Sequence, residues 1–145
     1  MDSTTAIAGY AALVGTASLA WQIAHASRAS RTRLEVEVRM GFLTFGPRLV
    51  DAVLITIFNR SDHAARVTSA GLHAQDGSGR IVNIVQAPQG GELPHVIPPH
   101  DSHLTWIERA DLPPEIDIYE PLRAWARAAS GERFDSPATT LMSRS

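Results

Sequence analysis

The sequence contains no cysteine and no lysine. The first absence removes disulfides, thiolate metal sites and cysteine nucleophiles. It leaves the compartment open. The second excludes Schiff-base chemistry and the phosphate-binding lysine of a P-loop. All 13 basic residues are arginine, a bias that high-GC coding explains before any mechanism does. No sign of charge dominates. With 13 basic and 15 acidic residues the net charge is -2, so the chain as a whole lacks the basic footprint of a nucleic-acid binder, and no nucleic-acid partner is expected. The patterns G-x-G-x-x-G, H-E-x-x-H and G-x-S-x-G are absent, as is any internal repeat. No catalytic signature is therefore present, and the expectation is a protein without enzymatic activity or cofactor.

What is present suits one modest domain with an appendage, at 145 residues. Hydrophobic residues at 44% and charged residues at 19% describe a globular chain. The appendage is "STTAIAGYAALVGTASLAWQIAHASRASRTR", which carries no charge from Ser3 to Ser27 and then Arg28, Arg31 and Arg33. Thr4–Ile23 is long enough to cross a hydrocarbon core of roughly 30 Å at about 1.5 Å per residue. Ile7, Leu13, Val14, Leu19 and Ile23 contribute roughly -2 to -3 kcal/mol to insertion, and Thr5, Thr16, Ser18 and Gln22 offset part of it. Trp21 stands near the charged end, where interface aromatics gather.

A cleaved signal peptide would carry its positive charge ahead of the apolar run. Here the arginines follow it, behind a small-x-small "AHA" at 24–26. A water-facing amphipathic helix would need a polar face, and no charged residue supplies one. The expectation is a single-pass anchor in the cell membrane, with Ile7, Leu13, Val14, Leu19, Trp21 and Ile23 in or beside lipid. Arg28, Arg31 and Arg33 then set topology and touch anionic headgroups, at about 1 kcal/mol each. The positive-inside rule puts the main domain in the cytoplasm. Small residues at Ala8, Ala11, Ala12, Gly15 and Ser18 permit close helix approach and homo-oligomerisation, although an alanine-rich helix scatters small residues on every face.

After the arginines the period changes to two. "LEVEVRM" at 34–40 alternates strictly, with Leu34, Val36, Val38 and Met40 inward. "GFLTFGPRL" at 41–49 reads as a loop on its Gly and Pro content. "VDAVLITIFN" at 50–59 is a continuous apolar run and so a central strand. "ARVTSAGLHAQ" at 65–75, a "DGSG" turn at 76–79 and "RIVNIV" at 80–85 form a hairpin. The segment 87–101 is a Pro- and Gly-rich connection. "SHLTWIE" at 102–108, "LRAWARAA" at 122–129 and "RFDS" at 133–136 complete the strands, with an irregular 111–121 between them. The expected fold is mainly β: an antiparallel immunoglobulin-like β-sandwich of six to seven strands, preceded by one N-terminal hydrophobic α-helix. Its divisions are a helix and basic juncture at 1–33, a sandwich at 34–136 and a frayed tail at 137–145.

The segments "VLITIFNRSDHAARVTSAGLHAQDG", "LPHVIPPHDSHLTWIERADL" and "PLRAWARAASGERFDS" resemble a group of small actinobacterial and actinophage proteins. The resemblance covers most of residues 5–136 and implies one hydrophobic helix, a basic juncture and an immunoglobulin-like sandwich. The motifs that carry it are strand and turn patterns. The group has no activity or catalytic residues to carry over.

The constellation with ligand chemistry is "HVIPPHDSH", which holds His95, His100, Asp101 and His103. Imidazole and carboxylate suit a transition metal. Their spacing matches no established site, and a strand sends alternate residues to opposite faces, so no metal is assigned. Asp62 and His63 follow the central strand, without a marked serine to complete a triad. Trp106 and Trp125 suit core or sheet-face packing. Arg123 and Arg127 share a face with Trp125, in reach of cation–π contact, and this trio is the candidate face for an unknown protein partner. The leading expectation is a membrane-anchored interaction module. The alternative is a structural subunit of a phage virion or similar assembly, whose N-terminal helix packs on neighbouring subunits. A metal-binding domain built on the histidine loop is a third reading.

Overall fold

The computed structural model describes residues 14–26, 30–75, 81–84 and 91–144. The chain divides into two compact units, Met1–Arg31 and Thr32–Ser145. In the first, residues 14–26 form a helix, α1. Among the described residues no helix is long and apolar enough to cross a membrane. The expected span 4–23 begins outside the described residues, as does the "DGSG" turn.

The second unit is mainly β, with two antiparallel sheets. In one, β1 (Leu34–Phe45) pairs along its whole length with β2 (Arg48–Asn59), from Leu34 opposite Asn59 to Phe45 opposite Arg48. The segment 41–49, expected to be a loop, is instead the end of this hairpin. Its punctuation is real but compact. Gly46 takes φ 61° and Pro47 follows with its fixed negative φ, which is the chemistry of a two-residue hairpin turn. β6 (Ser102–Glu108) pairs with the other edge of β2. β2 is thus central, and Ala52, Val53, Leu54, Ile55 and Ile57 are all buried, as its unbroken apolar run requires.

The other sheet is centred on β3 (Ala65–Gln75). One edge of β3 takes two short strands, β5 (His95–Ile97) beside residues 65–67 and β4 (Ile81–Ile84) beside residues 72–75. β7 (Leu122–Ala128) pairs with its other edge, and β8 (Arg133–Asp135) with β7. β5 lies in the segment expected to be only a connection. A 3-10 turn, Arg109–Asp111, follows β6 and leads into the stretch 111–121 expected to be irregular. The two sheets share one core. Val36, Val38, Ile55 and Ile57 of the first meet Val67, Leu72, Leu122 and Ala124 of the second.

Among the described residues the buried polar side chains are Asn59, Ser61, Thr105 and Ser136, and Asn59 makes the largest set of hydrogen bonds. Asn59, with no exposure, ends β2. Its Nδ2 donates to the carbonyls of His63 (2.8 Å), Ile97 (3.0 Å) and Pro98 (3.1 Å), and its Oδ1 accepts from Ser61 N–H (2.9 Å). Its backbone N–H donates to Asp101 O at 2.9 Å. Gly91, at φ 70°, lets another loop close on β6. A Cβ there would run into the Leu104 carbonyl, so this position needs glycine both for space and for φ.

The tail, expected to fray, is docked. Thr139 bridges Leu122, Met142 N–H donates to Ile118 O (3.1 Å), Leu141 packs on the core, and Arg144 pairs with Asp117 at 2.7 Å. Leu141 supplies the apolar anchor that a frayed end would lack. The unit also begins earlier than the expected boundary after residue 33. Arg33 N–H donates to Ser61 Oγ (2.7 Å), and Arg33 O accepts from Arg60 N–H (2.8 Å).

Asn59→Ala strands three carbonyls and one N–H in a closed space. We expect a loss of about 3 kcal/mol in chemical denaturation. A loss under about 1 kcal/mol would show that water replaces the carboxamide.

Candidate functional site

The histidine loop does not converge. His95 lies on β5 and His103 on β6, and their rings stack at 3.9 Å between centroids and 18° between planes. His103 Nε2 is buried without a hydrogen-bond partner among the described residues. Burial, and secondarily the neighbouring His95, hold the His103 pKa below the usual histidine value. His100 points elsewhere, in the left-handed region at φ 58°, and its Nε2 lies 3.1 Å from Asp62 Oδ1 in open solvent. Asp101 spends its Oδ1 on Ser102 N–H (2.8 Å). Among the described residues no three His, Asp or Glu side chains gather to hold a metal. Asp62 and His63 also part company, His63 reaching Thr32 Oγ1 at 3.3 Å. These groups close turns and join the sheets.

The other candidate is the outer face of β3, β7 and β8. The alternation of β7 buries Leu122, Ala124, Ala126 and Ala128 in the core and turns Arg123, Trp125 and Arg127 outward, as expected. The structure then departs from expectation. Trp125 is only 3% exposed, so it is not itself a contact surface. Its cation–π partner is neither Arg123 nor Arg127 but Arg133 of β8, whose guanidinium carbon lies 5.0 Å from the indole centroid. Gly71 and Asp135 flank the indole in register on either side. Arg133 is held there by Asp135 Oδ1, which accepts from both Nε (3.0 Å) and Nη2 (2.8 Å), and it lies 3.3 Å from His73 Nδ1. The Trp125 N–H is buried without an acceptor among the described residues.

An open recess of about 510 Å³ lies beside this lid, lined by His73, Arg123, Arg133 and Asp135. Arg66 of β3 is exposed on the same outer side, opposite Val96. Arg66, Arg123 and Arg127 form no ion pair among the described residues. Arg66, His73, Arg133 and Asp135 were not singled out by sequence reasoning. Strict alternation over 65–75 would put Arg66 and His73, seven residues apart, on opposite faces, and the irregularity between Val67 and Ser69 is what sets them on one side. "RFD" placed Arg133 and Asp135 on one face, but not over Trp125.

The remaining sequence candidates scatter. Trp106 packs on Phe45 of the first sheet at 5.9 Å. In α1, Val14, Leu19, Trp21 and Ile23 are all exposed. At about 100° per residue, Val14 and Trp21 lie on one side of that helix and Leu19 and Ile23 on the opposite side. Arg31 and Arg33 are exposed. Ile7, Leu13 and Arg28 lie outside the described residues.

The chain matches no protein-family model and no curated protein. Seven chains of solved structures are similar. One, an X-ray structure of Northeast Structural Genomics Consortium target SoR45, is 20% identical with a TM-score of 0.45, covering 76% of this chain and 86% of its own. Another, a Bordetella pertussis target carrying the ApaA designation, is 18% identical with a TM-score of 0.45, covering 79% and 97%.

Two expectations follow from the geometry. His103 has a depressed folded pKa, so the unfolded chain binds the proton more readily between that pKa and about 6.5. Stability is therefore full above about pH 6.5 and is lost as pH falls through the folded value. The thermal midpoint should drop between pH 7.5 and 5.5, and drop less in His103→Gln. An equal drop in both would assign the effect to other groups. Arg133→Ala should uncover the indole, shifting tryptophan emission to longer wavelength and costing about 1 kcal/mol. Unchanged emission would mean that other atoms close over the ring.

Proposed function

We infer that this chain is a non-enzymatic interaction module, an immunoglobulin-like sandwich tethered to a membrane by its N-terminal segment and presenting the face of β3, β7 and β8 to a protein partner. The observation that carries the reading is the charge of that face. Arg66, Arg123, Arg127 and Arg133 stand on its strands against the single carboxylate of Asp135, in a chain of net charge -2. Arg133 is paired with Asp135, whereas Arg66, Arg123 and Arg127 have no ion-pair partner among the described residues, and such exposed charge favours recognition over stability because isolated surface charges add little to folding. The histidine and aspartate residues that could support catalysis are engaged in ring stacking, turn closure and a solvent-exposed pair.

The tether rests on α1. A helix with apolar side chains on opposite sides suits surroundings that are apolar all round. The trailing Arg31 and Arg33, with Arg28 before them, favour a cytoplasmic module. The same all-round apolar helix supports a second reading, a structural subunit whose helix packs among neighbouring copies. The experiment is fractionation of cells expressing the full chain, combined with crosslinking from a photoreactive residue at position 123. We expect the chain in the membrane fraction, released by detergent and not by salt, with a crosslinked protein partner. Soluble oligomers of defined size that need residues 1–30 would support the second reading instead. A soluble monomer with no crosslink would remove both.

A further inference from the structure

We propose that the arginine face binds an extended acidic peptide whose carboxylates alternate along its length. The proposal rests on the interaction reading above and names the chemistry of the partner. Arg123 and Arg127 are four residues apart on one strand, so their side chains leave the sheet roughly 13 Å apart on the same side. A second extended chain laid along β7 repeats its own side chains on one side at about 7 Å intervals. Acidic residues at its positions i and i+4 then meet the two arginines. The residue at i+2 falls over the Trp125 position, where the guanidinium of Arg133 forms the surface. Three cations are thereby offered to three alternating carboxylates.

Arg133 already shows the contact. It binds the carboxylate of Asp135 through two nitrogens while its flat side rests on the indole. Arginine stacked in this way is preorganised, so it loses less freedom on meeting a second carboxylate. The recess at His73 and Arg123 gives room for one acidic side chain beside the strand. The donors here are guanidinium groups spaced along a strand. Among the described residues no helix N-terminus or glycine-rich turn lines the recess to cradle a phosphate. That arrangement favours carboxylates in a line over one phosphate at a point.

The test uses the full chain and a labelled nonapeptide with glutamate at alternate positions, followed by fluorescence anisotropy. Controls are the same peptide with glutamine or with lysine for glutamate, and oligothymidylate. Arg123 and Arg127 are exposed and unpaired among the described residues, so the Arg123→Glu, Arg127→Glu double variant should fold, and a melting curve confirms it. We expect the glutamate peptide to bind, to weaken by about tenfold or more in the double variant, and to weaken with added salt. The lysine peptide should bind the double variant and not the original chain, which keeps the test informative through a gain as well as a loss. Equal binding of the glutamine peptide, or undiminished binding of the glutamate peptide to the variant, overturns the proposal. So does oligothymidylate binding as tightly with the same dependence on Arg123 and Arg127. A partner crosslinked at position 123 that binds through a neutral segment overturns the acidic ligand and leaves the interaction reading standing.

Discussion

A buried carboxamide, that of Asn59, closes one end of the two-sheet core. β2 is the central strand of its sheet, and where it ends the chain must turn, reach the other sheet and leave no backbone group unpaired. Asn59 meets that demand at 0% exposure, joining the turn at His63 and Ser61 to the end of β5 at Ile97 and Pro98. Buried polar groups are tolerated only when satisfied, and a satisfied one specifies geometry in a way that apolar contacts do not. The side chain thus ties the end of β5 to the turn after β2, and the backbone N–H of the same residue holds Asp101 at the entry into β6.

With that end closed, the two faces of the second sheet have separate tasks. The inner face is rich in alanine, with Ala65, Ala70, Ala124, Ala126 and Ala128 beside Val67, Leu72, Ile97 and Leu122, and packs on the Ile and Val side chains of the first sheet. The outer face carries the long side chains. Trp125 is buried on this outer side, and the guanidinium of Arg133 lies over its ring. Covering an aromatic ring with a guanidinium removes apolar surface from water while leaving a charged exterior. Packing and recognition are therefore served by the same atoms.

Legibility from the sequence followed the range of the interaction. The alternation of 34–40 and of 122–128 was enough to assign inward and outward sides, and those assignments stand residue by residue. The apolar run at 50–59 was enough to place a central strand. Gly46 and Pro47 were readable as a turn, but the extent of the turn was not. Whether 41–45 continues a ladder depends on 48–52 opposite it, which local composition does not encode. The same limit explains the tail. Small polar residues at its start suggest fraying, and only the position of Ile118 and the core near Leu141 reveals an anchor.

Alternation, the order of the longer strands along the chain and the separation of an uncharged N-terminal segment from a β-rich body are properties of neighbours in sequence, and the sequence alone determined them, whereas the short β5 within the Pro- and Gly-rich connection depended on β3 beside it. The pairing of His95 with His103, the lid of Arg133 on Trp125 and the gathering of four arginines on one side were decided by the tertiary structure. A period of two states which side of a sheet a residue faces. It does not state which strand lies alongside. The contacts that define the candidate site all run between strands, so they came into being only when β3, β7 and β8 were set in register.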